Sequence, residues 1–142
     1  MKSKVNSTQY IEIYYDSDNS IYSWFFLPKT TYMNAEELKE TFHLMMNTMK
    51  SHQPQYVLAD DRENLVIFEP DIQEWIAQYT IESLAECKVK KFAVVRPKDF
   101  INDLSTSQAV EEAQKVAESY NLNIDIKIFA NIDEAESWLT SL

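Results

Sequence analysis

The sequence predicts an α/β protein in which four helices cover a mixed, largely five-stranded sheet. Two runs of aromatic and β-branched residues open the chain, at residues 10–15 and 21–27. Three later apolar runs alternate with segments whose apolar residues recur at helical spacing. Strands that are separated by helices pair in parallel through right-handed crossovers. We therefore expect an N-terminal antiparallel hairpin followed by parallel strands.

The first two strands form the predicted hairpin. The turn between them, residues 16–19, consists of Asp, Ser and Asn, and both Asp and Asn tolerate left-handed backbone. Apolar side chains occur on both faces of these strands, which is more than one layer of helices needs. Two interpretations follow: helices cover both faces, or an exposed aromatic surface binds a partner or ligand. The aromatic residues of that surface would be Tyr14, Tyr22, Trp24 and Phe26.

The middle of the chain predicts two helices around a short strand. Asn34 and an acid three residues later form a capping box, which begins a helix that extends to about residue 50. A strand over 55–59 follows. Pro70 suits the first turn of the second helix, in which we expect a break near Thr80. The apolar run 65–68 fits either a loop on the core or a short additional strand.

The last third of the chain predicts two more strands and two more helices. The apolar run 91–95 is typical of a strand that is covered on both faces. Ser105 and Gln108 form a capping box that begins the third helix. A strand over 124–129 precedes a final helix that Asn131 caps.

Composition excludes several classes of function. The chain contains no glycine. The P-loop, the dinucleotide-binding fingerprint, the nucleophile elbow and the kinase phosphate loop all need glycine for steric reasons. The formal net charge of −10 opposes binding to nucleic acid and to anionic membranes. We therefore expect no nucleic-acid partner.

The remaining bulk properties indicate one cytoplasmic domain over residues 1–142. The chain is long enough for one core, and it has neither an apolar leader nor an apolar run that could span a membrane. A single cysteine, Cys87, leaves no pairing within the chain. His43 and His52 have no partner at metal-ligand spacing, and we expect no metal and no cofactor.

Charged and polar side chains follow the predicted parallel strands where each strand ends. Ligands of open α/β sheets collect at this edge. One interpretation is a charged crevice whose paired carboxylates bind Mg²⁺. The other is that basic neighbours neutralise the acidic groups in solvent. The candidate binding residues are Asp60, Asp61, Arg62, Arg96, Lys98 and Asn131.

The order of elements resembles STAS-type domains, and more specifically the SpoIIAA-like (STAS/SEC14-type) family of small bacterial proteins. The segments that carry the resemblance are 56–60, 69–76, 91–95 and 133–139. The resemblance implies a STAS-like fold over nearly the whole chain from Tyr10. In the family's type members a phosphorylatable Ser or Thr follows an Asp where a central strand ends. The matching stretch 60–64 has neither residue, so we expect the phosphorylation switch to be lacking.

The resemblance implies a non-enzymatic regulatory or protein-interaction module that binds a partner protein of unknown identity or forms a homodimer. The alternative is a binding or carrier protein for a small, partly apolar ligand, which needs an apolar pocket. An enzyme that uses the strand-end acids ranks third, because no nucleophile and base occur at a recognisable spacing.

Overall fold

The computed structural model describes residues 1–66 and 69–141, and these residues form a sheet with helices on both faces. The strands are β1 (Lys2–Ser7), β2 (Ile11–Asp16), β3 (Ile21–Phe26), β4 (Tyr56–Asp60), β5 (Lys91–Val95) and β6 (Asp125–Phe129). The helices are α1 (Ala35–His52), α2 (Pro70–Glu86), α3 (Phe100–Ser119) and α4 (Ile132–Leu139), and a 3₁₀ turn covers Pro28–Tyr32.

The sheet is mixed and its strands lie in sequence order, β1-β2-β3-β4-β5-β6. The pairs β1–β2 and β2–β3 are antiparallel, and the pairs from β3 to β6 are parallel. The predicted α/β class, four helices and hairpin followed by parallel strands are confirmed. The strand count of five was wrong, because the sheet has six strands.

The additional strand is β1, and its sequence explains why it was missed. Its six residues, KSKVNS, are mostly polar and exposed, and they lack both a hydrophobic alternation and a β-branched run. Backbone pairing to β2 holds this strand at the edge of the sheet. Lysines on an edge strand oppose pairing with further chains. The polar sequence therefore suits an edge position and gives little signal of a strand.

The front face of the sheet, defined as the face under α1, α2 and α3, carries the main core. Strand side chains alternate between faces, so every second residue of β3, β4 and β5 points into this core. The Tyr22 hydroxyl donates a hydrogen bond to the Met45 carbonyl of α1 at 2.6 Å. The strand residues of the front core are Ile11, Ile13, Tyr22, Trp24, Phe26, Val57, Ala59, Phe92 and Val94.

On the back face, α4 packs over β4, β5 and β6. Ala135 and Leu139 of α4 are completely buried against Leu58, Ala93 and Val95. Over the hairpin, the rings of Tyr14 and Phe25 form an edge-to-face pair with centroids 5.4 Å apart. The Lys2 ammonium lies 5.1 Å and 5.0 Å from these two ring centroids. A cation–π contact with a long lysine side chain therefore shields this part of the sheet.

The predicted exposure of an aromatic surface on the hairpin was wrong for three of its four residues. Tyr22, Trp24 and Phe26 are buried in the front core, with 0 %, 2 % and 3 % of their surface exposed. β3 is an internal strand between β2 and β4, so helices cover its aromatic face. Only Tyr14 is partly accessible, and it belongs to the back face.

Two of the three predicted N-caps are confirmed. Asn34 and Asn131 each accept a hydrogen bond from the backbone N–H three residues later, at 2.8 Å and 2.9 Å. The predicted start at Ser105 was wrong, because Asp99 caps α3 and Ser105 is buried within the helix. Asp99 accepts from the Asn102 backbone N–H at 3.1 Å, so the cap lies six residues before the predicted one.

Two further expectations concern the region between β4 and β5. α2 continues from Pro70 to Glu86 without the break expected near Thr80. The ambiguous run 65–68 extends beyond the described residues at positions 67 and 68, while residues 65 and 66 have no strand pairing. None of the described helices is long and apolar enough to cross a membrane.

Candidate functional site

The carboxyl ends of β4, β5 and β6 meet at the same edge of the sheet. Asp60, Val95 and Phe129 lie side by side in the parallel register. Backbone hydrogen bonds continue this register past the strand ends, from Asp61 N–H to the Val95 carbonyl at 3.1 Å and from Arg96 N–H to the Phe129 carbonyl at 2.9 Å. The predicted gathering of strand ends at one edge is therefore confirmed.

The two adjacent carboxylates at this edge point to opposite faces of the sheet. Asp60 lies in the back-face row with Phe25 and Val95, as its pairing in the register requires. Asp61 continues the alternation onto the front face, where it meets Thr106 of α3. Because adjacent strand residues diverge, the two acids cannot act as one paired-carboxylate ligand. The proposed magnesium crevice is thus contradicted by the alternation of the strand.

Asp60 is held by Arg62 two residues later. The Arg62 guanidinium donates from Nε to Asp60 Oδ1 at 3.0 Å and from Nη2 to Oδ2 at 2.6 Å. The Arg62 backbone N–H donates to the same Oδ1 at 3.1 Å. This bidentate pair compensates a carboxylate whose side chain is only 4 % exposed. The pair therefore fixes the turn that follows β4.

The other candidate residues of this edge have separate partners. Lys98 Nζ bonds the exposed Glu63 carboxylate at 2.7 Å. Arg96 Nε bonds Asp103 Oδ1 of α3 at 2.9 Å. Asn131 caps α4. The six predicted binding residues therefore lie near one edge, but they form local ion pairs and a helix cap instead of one converging site.

The two ion pairs at the end of β4 predict unequal effects on stability. Arg62→Met leaves the buried Asp60 carboxylate uncompensated, and we expect it to lower the free energy of unfolding by about 2 kcal/mol. Lys98→Met is the matched control, since it breaks a pair in which both side chains are at least half exposed. We expect this control to change stability by less than about 1 kcal/mol. Urea denaturation of both variants measures the difference, and equal losses would contradict the structural role of Arg62.

Four exposed apolar side chains that the sequence did not indicate lie on segments near the same edge, and they are here together called the rim patch. It consists of Tyr32 of the 3₁₀ turn, Leu65 of the β4–α2 loop, and Ile101 and Leu104 of α3. Their surfaces are 79 %, 39 %, 57 % and 54 % exposed, respectively. The signal that could have shown this is the cap formed by Asp99 and the Asn102 backbone, which begins α3 at residue 100. Ile101 and Leu104 then lie one turn apart on the same helix.

Hydrogen bonds tie together the three segments that carry the rim patch. The Leu65 backbone N–H donates to the buried Thr30 hydroxyl of the 3₁₀ turn at 2.9 Å. The Asn102 side-chain amide of α3 donates to the Val66 carbonyl of the loop. Asn102 is itself 4 % exposed. The patch is therefore supported by a defined backbone framework.

Beneath this edge, Asp61 is one of the residues around an apolar cavity of about 60 Å³ between the front face of the sheet and helices α2 and α3. Asp61 is 6 % exposed. Burial raises the pKa of Asp61 to about 7, and the charge of Asp60 adds to the rise. Asp61 thus keeps its proton to a higher pH than an exposed aspartate does.

Within residues 1–66 and 69–141, no group of three or more His, Cys, Asp and Glu side chains has an arrangement that could hold a metal ion. Comparison of the chain with protein-family models, with curated proteins and with solved structures yields no match. The interpretation of the rim patch and of the cavity therefore rests on their geometry and chemistry.

Proposed function

We propose that the protein is a non-enzymatic regulatory module of STAS-like type that binds a partner protein through the rim patch. The observation that carries the proposal is the exposure of Tyr32, Leu65, Ile101 and Leu104 on three segments that hydrogen bonds tie together at one edge. Exposed apolar side chains that lie near one another often mark an interaction site, whereas single scattered ones are normal on protein surfaces.

The state of the strand-end acids supports a non-enzymatic role. Asp60 is engaged by the Arg62 fork, and Asp61 is enclosed beneath α3. A general base must reach the proton that it removes, and neither carboxylate is open to a substrate from solvent. The rim therefore offers contact area and charge to a partner, and its exposed Glu63 carboxylate is paired with Lys98.

The STAS-like relationship is part of the same proposal. A hairpin followed by parallel strands with helical crossovers is the arrangement that the family resemblance implies. Residues 60–64 contain no Ser or Thr, so regulation by phosphorylation at this position is not part of the proposed function. The proposed function is therefore binding of a partner protein without a phosphorylation switch at these residues.

The partner would be a protein with an apolar contact surface and a positive net charge. The chain has 23 acidic and 13 basic side chains, so its field attracts basic surfaces. The exposed ion pair Lys98–Glu63 lies in the same strand-end loops and would add polar contacts around an apolar centre. We expect the association rate to fall as ionic strength rises.

Substitution of the rim patch should abolish partner binding without unfolding the protein. The double variant Ile101→Ser, Leu104→Ser removes two exposed apolar side chains from the first turns of α3. Tyr120→Ser is the matched control, because Tyr120 follows the other end of α3 and is as exposed as Leu104, at 54 %. Affinity purification from the native cell, read by quantitative mass spectrometry, compares the three proteins.

We expect one protein to be retained by the wild type and by the Tyr120 variant and to fall at least ten-fold with the double variant. Loss of about 1.4 kcal/mol of binding free energy suffices for this change. Equal recovery by all three proteins would contradict the rim patch as the binding surface. Sedimentation of the wild type alone shows whether the retained protein is a second copy of this chain. Self-association would mean that the partner is this chain and not a basic protein.

The alternative function, binding of a small, partly apolar ligand, is favoured by the cavity beside Asp61. Its lining is almost entirely apolar, and Trp24 and Phe26 of the predicted aromatic set contribute to it. A volume of about 60 Å³ restricts this alternative to ligands far smaller than a lipid.

A further inference from the structure

A groove of about 350 Å³ lies on the back face of the sheet beside α4, and it is here called the back groove. Because α4 packs over β4, β5 and β6, its flank forms one wall, and the hairpin side of the sheet forms the other. Its floor includes Ile21, Ser23 and Leu58, and its walls carry Asp16 on the hairpin side and Asp133 and Glu136 on α4. None of the rim patch residues lines this groove.

Ser23, on the floor of the back groove, has an unused hydroxyl. Its neighbours along β3 belong to the front core, so its own side chain lies on the back face. Ser23 is 2 % exposed, and its hydroxyl makes no hydrogen bond with the residues that the structure describes. Among those residues, the fully enclosed polar atoms without a partner belong to Asp61, Asn64 and Thr80. The Ser23 oxygen is not one of them, so it is open to the groove and can bond a ligand there.

The α4 wall presents two exposed carboxylates. Asp133 and Glu136 lie one turn apart on the helix, and neither forms an ion pair with the described residues. The pKa of Arg62 is raised chiefly by its bond to Asp60 and only last by the charge of Glu136, so this guanidinium does not neutralise Glu136. The α4 wall therefore offers negative charge to a ligand.

The hairpin wall carries a third carboxylate. Asp16 accepts hydrogen bonds from Asn19 Nδ2 at 2.8 Å and from the N-terminal ammonium at 3.3 Å. A carboxylate has about four acceptor positions, so Asp16 can accept from a ligand as well. Lys2 also lines this wall, and its ammonium lies over two aromatic rings of the hairpin. Negative charge therefore predominates on both sides of the groove.

The spacing of these groups limits the class of ligand. The three carboxylates do not converge on one point, since the described residues contain no group of acids that could hold a metal ion. Asp16 lies on β2, whereas α4 begins over β4, and strands two positions apart are separated by roughly 10 Å. The apolar side chains of Ile21 and Leu58 lie between the walls. The groove therefore suits an elongated molecule with a cation at each end and an apolar middle.

We propose that the back groove binds a linear aliphatic diamine, which bonds Asp16 with one ammonium and Glu136 with the other. Its methylene chain contacts Ile21 and Leu58, and the Ser23 hydroxyl accepts a hydrogen bond from one of the ammonium groups. An ammonium has three donors and no acceptor, which matches a groove that offers carboxylate and hydroxyl oxygens. This site goes beyond the proposed function and does not use the rim patch.

The experiment titrates the full chain with 1,4-diaminobutane at low ionic strength and follows its amide NMR spectrum. We expect saturable shifts at Ser23 and Leu58 with millimolar affinity, because very small ligands gain little binding energy. 1-Aminobutane has the same chain with one ammonium, and we expect it to bind at least five-fold more weakly. Added salt should weaken binding of the diamine, since the walls are exposed to solvent.

Three variants show which groups bind the diamine. Glu136→Gln should weaken binding at least five-fold, and Ser23→Ala about five-fold, as loss of one hydrogen bond implies. Glu134→Gln is the matched control, because it removes an exposed carboxylate of the same helix that does not line the groove. We expect this control to change the affinity by less than about two-fold. The amide spectrum of each variant shows that the fold is retained.

Several results would overturn the proposal. These are an absence of saturable shifts, equal affinity for 1-aminobutane, and an unchanged affinity in Ser23→Ala. An equal loss in Glu134→Gln and Glu136→Gln would show general attraction to an acidic surface and would overturn it too. The double variant Ile101→Ser, Leu104→Ser should bind the diamine as the wild type does, so failure at the rim patch and failure at the back groove are distinguishable.

Discussion

Trp24→Ala is expected to lower the free energy of unfolding by about 3–5 kcal/mol, the range for removing a large buried aromatic side chain. Trp24 is 2 % exposed and lies between two other rings. Its centroid is 6.1 Å from that of Tyr22 and 5.8 Å from that of Phe92. Loss of the indole removes these contacts and enlarges the adjoining cavity. Urea denaturation with fluorescence from the two remaining tryptophans measures the change.

Tyr14→Ala is the matched control for this prediction. Tyr14 lies on the back face of the neighbouring strand and is partly accessible, with its ring against Phe25 and the Lys2 ammonium. We expect a loss of about 1 kcal/mol, because partial burial and one ring pair are removed. An equal or smaller loss for Trp24→Ala would contradict the assignment of the hairpin aromatics to the front core.

The second large effect is a pH dependence of stability that Asp61 causes. Its pKa is about 7 in the folded protein, against 3.8 for an aspartate that is free in solution. Between these values the folded state holds a proton that the unfolded state has released. Stability therefore falls as the pH rises from about 4 to about 7, and the loss is complete above the folded pKa. Asp61→Asn removes this pH dependence, because asparagine does not titrate.

The expected gain for Asp61→Asn is up to about 4 kcal/mol above pH 8 and close to zero near pH 4, since each pKa unit corresponds to about 1.4 kcal/mol. Urea denaturation at several pH values measures both proteins. Asp125→Asn, which removes an exposed carboxylate of β6, reports what loss of one surface charge does by itself. Parallel pH curves for the wild type and Asp61→Asn would show that the buried carboxyl does not titrate in this range.

The elements that could be predicted are those whose capping residues and apolar pattern match the burial that they have in the folded protein. The caps at Asn34 and Asn131 and the apolar run of β5 are examples, because each depends on a few neighbouring residues. β1 was missed because its stability comes from pairing with β2, and its residues KSKVNS carry no apolar pattern. The start of α3 was placed too late because two capping patterns compete, and Asp99 prevails over Ser105.

The candidate site was predictable in position but not in geometry. The edge that gathers Asp60, Arg96 and Asn131 follows from parallel pairing alone. Strand alternation could have shown that Asp60 and Asp61 diverge, since adjacent residues point to opposite faces. The cavity could not be predicted, because it depends on alanines from three elements that meet only after folding. The rim patch likewise depends on which apolar side chains remain uncovered.

Photo-crosslinking in the native cell tests partner binding at the rim most directly. A photoreactive phenylalanine analogue replaces Leu104 in one variant and Tyr120 in another, at opposite ends of α3 and with equal exposure of the natural residues, 54 %. We predict one discrete crosslinked protein from position 104 and none from position 120. Absence of an adduct at position 104, or the same adducts from both positions, would contradict a specific partner at the rim patch.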